Sequence, residues 1–149
     1  MTAFEKLEAL YATLPTVECK RKCQAYCGGI LISKIEAARL EEKRGFLEKV
    51  TAFEADKRPY LPTPAIIESE FIGLRPSLTM ECVFLMGNHC LAYKIRPLVC
   101  RIWGCVDNEF MRCEFGCIPS RWLTNREVKQ LHMDVIQIQK EWQAEGNNP

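Results

Sequence analysis

The residues with chemistry to offer are nine cysteines in three groups. The first is Cys19-x3-Cys23-x3-Cys27. The second is Cys82-x7-Cys90-x9-Cys100, and the third Cys105-x7-Cys113-x3-Cys117. Thiols at such density form disulfides, bind a metal or cycle redox state. Were the first group continuous helix, its outer Cα atoms would stand about 12 Å apart at ~1.5 Å rise per residue. One tetrahedral zinc with Zn–S bonds of about 2.3 Å cannot bridge that distance. The three thiolates serve one ion only on irregular backbone; otherwise they hold a larger cluster or belong to two sites. Gly28-Gly29 follows at once and supplies backbone freedom.

Disulfides fit poorly. The count is odd, and a chain of 149 residues can build a core without staples. The opening MTAFEKLEALYATLP has acidic interruptions and no apolar signal core, and no stretch approaches the ~18 apolar residues of a membrane span. The expected location is the cytoplasm, where thiols stay reduced. The candidate donors are all thiolates, which suit zinc or iron–sulfur clusters, and two histidines make a mixed site a poor fit. None of the spacings is the C-x2-C pair of zinc fingers and ribbons, nor the tight ferredoxin run. The first group carries one residue too many for the C-x3-C-x2-C of radical-SAM enzymes, and the chain is too short for their barrel. Wide irregular spacing favours a [4Fe–4S]-type cluster, with zinc the alternative and a metal-free thiol redox sensor the third option.

His89 could replace a thiolate, but a hydrogen-bonded turn residue is the simpler role, and His132 reads as a helix flank. Arg96 and Arg101 flank Cys100, where they could lower a thiolate pKa or bind an anion, or form a salt bridge. Tyr93 and Trp103 read as core aromatics before cluster shields. Lys20, Arg21 and Lys22 could offset cluster charge but are too few for nucleic acid. Net charge is +1, so neither nucleic acid nor an anionic membrane is indicated. No phosphate loop, dinucleotide fingerprint or serine-nucleophile elbow is present.

The elements that must position these thiols are mostly helical. Thr2-x-x-Glu5, Ser33-x-x-Glu36 and Thr124-x-x-Glu127 are capping-box patterns. Phe4, Leu7, Tyr11 and Leu14 follow the first before Pro15 stops it. Ile35, Ala38 and Leu40 follow the second, and Phe46, Leu47, Val50 and Phe53 continue past Gly45. Val128, Leu131, Val135, Ile138 and Trp142 follow the third as one apolar face, read first as core packing and second as a partner surface. Pro59, Pro62, Pro64 and Pro76 predict an extended connector over 58–80. Residues 81–120 read as loops and turns with a short strand or helix between, and Glu145–Pro149 as a frayed tail. The expected fold is mostly α: a single small domain, 1–149, of amphipathic helices around an irregular cysteine-rich centre. The metal-binding core runs over about 19–117 and the C-terminal helix over about 124–144.

Cys82-Val-Phe-Leu, Cys90-Leu-Ala-Tyr and Arg96-Pro97-Leu-Val-Cys100-Arg101 together resemble the YkgJ-type family, a zinc- or iron-chelating cysteine-cluster domain with "CPFL", "C-x-I-Y" and "RP-x-x-CR". The resemblance covers roughly 19–104 and extends to an acidic helix after the first cysteine group. It implies Cys19, Cys23, Cys27, Cys82, Cys90 and Cys100 as the ligand set. Flagellin lysine methylase members of that family are associated with an iron–sulfur cluster. There are departures: Cys27 is followed by Gly28 rather than cysteine, Val83 replaces proline, and Trp103-Gly104 replaces "YP". Cys105, Cys113 and Cys117 look like additions to the pattern, candidates for a second site.

Overall fold

The computed structural model describes residues 1–19, 31–44, 71–73, 84–86 and 89–147. It is helix-dominated, with α1 at Ala3–Ala12, α2 at Lys34–Arg44, α3 at Leu98–Ile102 and α4 at Asn125–Ala144. The strands are short: β1 at Leu31–Ser33, β2 at Phe71–Gly73, β3 at Leu85–Met86 and β4 at His89–Cys90. The chain divides into two compact units, Met1–Lys22 with Leu98–Pro149, and Cys23–Pro97.

All three capping boxes form. Thr2 and Thr124 each take extended backbone and exchange hydrogen bonds with Glu5 and Glu127. In the third, the Glu36 carboxylate accepts from the Ser33 N–H at 2.9 Å and the Ser33 hydroxyl at 2.8 Å, and Ser33 Oγ accepts from the Glu36 N–H at 3.3 Å. Glu36 is buried, and these bonds offset the desolvation of its carboxylate.

In the first unit α1 packs on α4. Ala3, Leu7 and Tyr11 are buried, as are Leu131, Val135, Ile138 and Trp142, so core packing accounts for most of the α4 stripe. Val128, at the head of that stripe, is only half-buried, and Gln139 is fully buried beside it. The Phe4 and Trp142 rings stand 6.5 Å apart, and Lys6 forms an ion pair with Glu141 at the edge of the contact. The helix α1 stops at Ala12, two residues short of Leu14, because Thr13 turns back to donate to the Leu10 carbonyl and Pro15 cannot continue it. The frayed tail expected from Glu145 is corrected as far as Asn147. Gly146 adopts φ +91°, its N–H donates to the Gln143 carbonyl, and the Asn147 amide donates to the Trp142 carbonyl, which together cap α4.

In the second unit β1 pairs antiparallel with β2, with Ile32 opposite Ile72, and α2 packs on both strands. Ile32, Ile35, Ala37 and Leu40 form its core, with Ala37 inward where Ala38 was expected. The connector expected over 58–80 lies outside the described residues except for β2, where it is a strand. The helical continuation through Gly45, Phe46, Leu47, Val50 and Phe53 also lies outside them. Among the described residues, no helix is long and apolar enough to cross a membrane.

Candidate metal centre

Cys90 is placed by a hairpin. The register sets Leu85 opposite Cys90 and Met86 opposite His89, and the Leu91 N–H donates to the Phe84 carbonyl at 2.9 Å, extending the pair by one residue. Cys90 carries a free, half-buried thiol, and His89 beside it is exposed. A 3-10 turn at Tyr93–Ile95 follows, closed by the Ile95 N–H on the Ala92 carbonyl.

The Arg96-Pro97-Leu98-Val99-Cys100-Arg101 run changes direction at its proline. Arg96 adopts φ −55° and ψ 140°, the extended conformation a following proline imposes. Its guanidinium lies 3.7 Å from the centroid of the Tyr93 ring, and its Nε donates to the Tyr93 carbonyl at 2.9 Å. Tyr93 is 41% exposed, which corrects its reading as a core aromatic, because the ring serves as a platform for that arginine. Trp103 is half-buried.

Leu98 and Ile102 sit one turn apart on α3 and are buried, while Cys100, about 200° round from Leu98, is half-buried. Arg101 reaches over the buried Tyr11 of α1, 4.3 Å from the ring centroid. Both arginines flanking the motif's cysteines are therefore stacked on tyrosines, a geometry that anchors the backbone around Cys90 and Cys100.

The third cysteine group occupies a loop tied down at both ends. The Leu123 N–H donates to the Cys105 carbonyl and the Asp107 N–H to the Leu123 carbonyl, each at 2.8 Å. Asn108 accepts from the Phe110 and Met111 N–H groups and donates to Asn125 at the head of α4. Glycines in the left-handed region directly precede two of the cysteines. Gly104 has φ +80° and donates to the Met111 carbonyl, and Gly116 has φ +79° and closes a turn onto the Cys113 carbonyl. Cys105 is fully buried and its thiol points at the Arg101 carbonyl, 3.8 Å away. Cys113 is half-buried beside Gly104, and Cys117 is buried. Glycine–cysteine dipeptides at 104–105 and 116–117 were the sequence signal for this ordering.

Cys19 is exposed and follows a segment, Thr16–Val17, that pairs with this loop. Val17 and Pro119 form an antiparallel bridge, and the Ser120 N–H donates to the Thr16 carbonyl at 2.7 Å. Of the six cysteines expected in the principal site, Cys19 and Cys100 fall in the first unit and Cys90 in the second. Cys23, Cys27 and Cys82 lie outside the described residues, as do Lys20, Arg21, Lys22, Gly28 and Gly29. Among the described residues no two cysteines are joined in a disulfide, and no three His, Cys, Asp or Glu side chains group as a metal site.

A family model, CxxCxxCC, described as "Putative zinc- or iron-chelating domain", matches residues 18–118, about two thirds of the chain. The chain belongs to the CxxCxxCC family. No curated protein and no solved structure matches it. The match begins one residue before Cys19 and ends one after Cys117, so all nine cysteines lie inside it. The match is wider than the expected reach of 19–104 and takes in Cys105, Cys113 and Cys117. The description given to the family is zinc or iron chelation, and the donor set of this chain fits metal binding. The candidate ligands are sulfur, and those of Cys19, Cys90, Cys100 and Cys113 are exposed or half-buried, reachable by an incoming ion.

Proposed function

We propose that the chain is an iron–sulfur cluster-binding protein, with a [4Fe–4S]-type cluster held by thiolates of the set Cys19, Cys23, Cys27, Cys82, Cys90 and Cys100. Its role is redox, or cluster-based catalysis in an accessory or enzymatic setting. The observation that carries the reading is the zinc- or iron-chelating family match across all nine cysteines. The wide spacings of 7 and 9 residues between the later ligands support a cluster over a single ion. When bound, such a cluster exchanges single electrons or activates a ligand at an iron left uncapped by protein. The chain's part is to hold the sulfurs. The Arg96–Tyr93 and Arg101–Tyr11 stacks fix the backbone on either side of Cys100, and buried Leu98 and Ile102 seat α3 in the first unit. A reducing cytoplasm suits this set, since thiolates bind metal and disulfides do not.

The family description names zinc beside iron, and this favours one further reading. In it zinc ties the loops together and the protein is an interaction module. The partner would meet the outward face of α4, where Met133 is 55% exposed, because the inward stripe is occupied by α1. Cys105, Cys113 and Cys117 decide whether there is one centre or two.

The test is substitution with metal analysis. Cys82→Ala, Cys90→Ala and Cys100→Ala, each purified anaerobically, are expected to lose most of the metal the wild-type chain carries. Retention of full metal content by all three variants would refute the assignment.

A further inference from the structure

The arm ending at Cys19 has a register, and that register points to a partner for Cys19 about a hundred residues away. Across an antiparallel pair, each step forward on one strand is a step back on the other. Thr16 faces Ser120 through the Ser120 N–H on the Thr16 carbonyl at 2.7 Å, and Val17 faces Pro119 in the bridge. Carried two residues further, the same register sets Cys19 opposite Cys117. Pro119 has no N–H, so Val17–Pro119 is a pair without mutual hydrogen bonds; the bridge is isolated, and its register carried beyond it would make Cys19–Cys117 a pair of the same kind. In such pairs the Cα atoms approach to about 4.5 Å and the side chains leave on one face.

Burial follows this alternation. Cys117 and Pro119 are buried and Val17 half-buried on one face, whereas Thr16, Glu18, Ile118 and Ser120 on the other are exposed. Cys19 lies two residues beyond Val17 along the inward row and is exposed, whereas Cys117 is covered at 7% exposure. Zn–S bonds of ~2.3 Å in a tetrahedron set two sulfurs roughly 3.7 Å apart, a separation that side chains on facing positions can span. Cys105 is oriented differently, with its thiol directed at the Arg101 carbonyl inside the core.

We propose that Cys117 is a ligand of the same metal centre as Cys19, so that the third cysteine group is split and Cys117 belongs to the principal site. The proposal rests on the reading of Cys19 as a metal ligand. It removes Cys117 from any second site and leaves Cys105 and Cys113 too few to make one alone.

Two measurements on the full chain test it. Wild type, Cys19→Ala, Ile118→Ala and Cys117→Ala are purified anaerobically and assayed for iron, zinc and absorbance, with far-ultraviolet circular dichroism as the fold control. Cys117→Ala is expected to match Cys19→Ala, with at least a five-fold loss of metal or the same altered spectrum, while Ile118→Ala, at the exposed neighbouring position, keeps wild-type values. Wild-type metal content and spectrum in Cys117→Ala would overturn the proposal, whereas a wild type without metal would overturn the parent reading instead. The second measurement needs no variant to fold. Chelator-treated wild type is oxidised with diamide, which takes one hydrogen from each of two thiols as their sulfurs join and is itself reduced to the hydrazine. Peptide mapping is expected to find Cys19 linked to Cys117, and Cys19 linked only to other cysteines would overturn the juxtaposition.

Discussion

Gly104 shows how single residues set the positions of the sulfurs. Its φ of +80° lies where an L side chain is strained, and a Cβ there would meet the Cβ of Cys113 at 3.5 Å, an ordinary contact. The cost of a side chain is thus conformational rather than steric. Gly104→Ala is expected to destabilise the chain by about 1 kcal/mol in denaturant titration, without a new clash. Cys105, fully buried with its thiol on a backbone carbonyl, behaves as a small core residue. At this scale sulfur chemistry was legible at once, because nine cysteines with two histidines leave little else to bind a soft metal. Which sulfurs meet was not legible. The bridge between Val17 and Pro119 spans about a hundred residues, and spacing along a chain carries no record of so distant a pairing. The family resemblance was read from residues 82–101, so the reach of the match to Cys117 went unseen.

Helix starts were the most legible elements, since a capping box is complete within four residues. Thr124→Ala removes the side chain that accepts from the Glu127 N–H and is expected to cost about 1 kcal/mol by thermal or denaturant unfolding. The partner carboxylate adds a pH dependence. The Thr124 backbone N–H at 2.7 Å, then its hydroxyl and Arg121, hold Glu127 below the usual carboxylate range. A lowered folded pKa means the stabilisation is present above the unfolded value and is lost as pH falls through the folded one. Melting temperature should therefore drop below about pH 4, and Glu127→Gln should flatten that acid limb. Packing gives a sharper contrast. Leu7→Ala, at a fully buried position of α1, is expected to cost about 3 kcal/mol, and Met133→Ala on the exposed side of α4 less than about 0.5 kcal/mol. The strands β1 and β2 were not legible: they are three residues each and pair some 40 residues apart, too short to show alternation. The short strands β3 and β4 fall within 81–120, where a short strand or helix was expected among the loops.

For the molecule as a whole, the mostly helical character followed from three periodic segments with caps, and the structure is helix-dominated. Its division into Met1–Lys22 with Leu98–Pro149 and Cys23–Pro97 was not legible, because the chain leaves the first unit and returns to it at Leu98, where no linker composition marks the boundary. Both units carry cysteines of the expected ligand set. Metal binding is expected to couple to folding, because thiolate ligands far apart in sequence are gathered only in the folded chain: chelation of the native protein should lower its melting temperature and increase proteolysis in the cysteine-bearing loops. The measurement that bears most directly on the central claim is an absorbance spectrum of the anaerobically purified chain with iron, zinc and acid-labile sulfide quantified on the same sample. The expected result is a brown protein with iron and sulfide in near-equal amounts. Stoichiometric zinc in a colourless protein would contradict the iron–sulfur reading, and a chain with neither metal would contradict the centre itself.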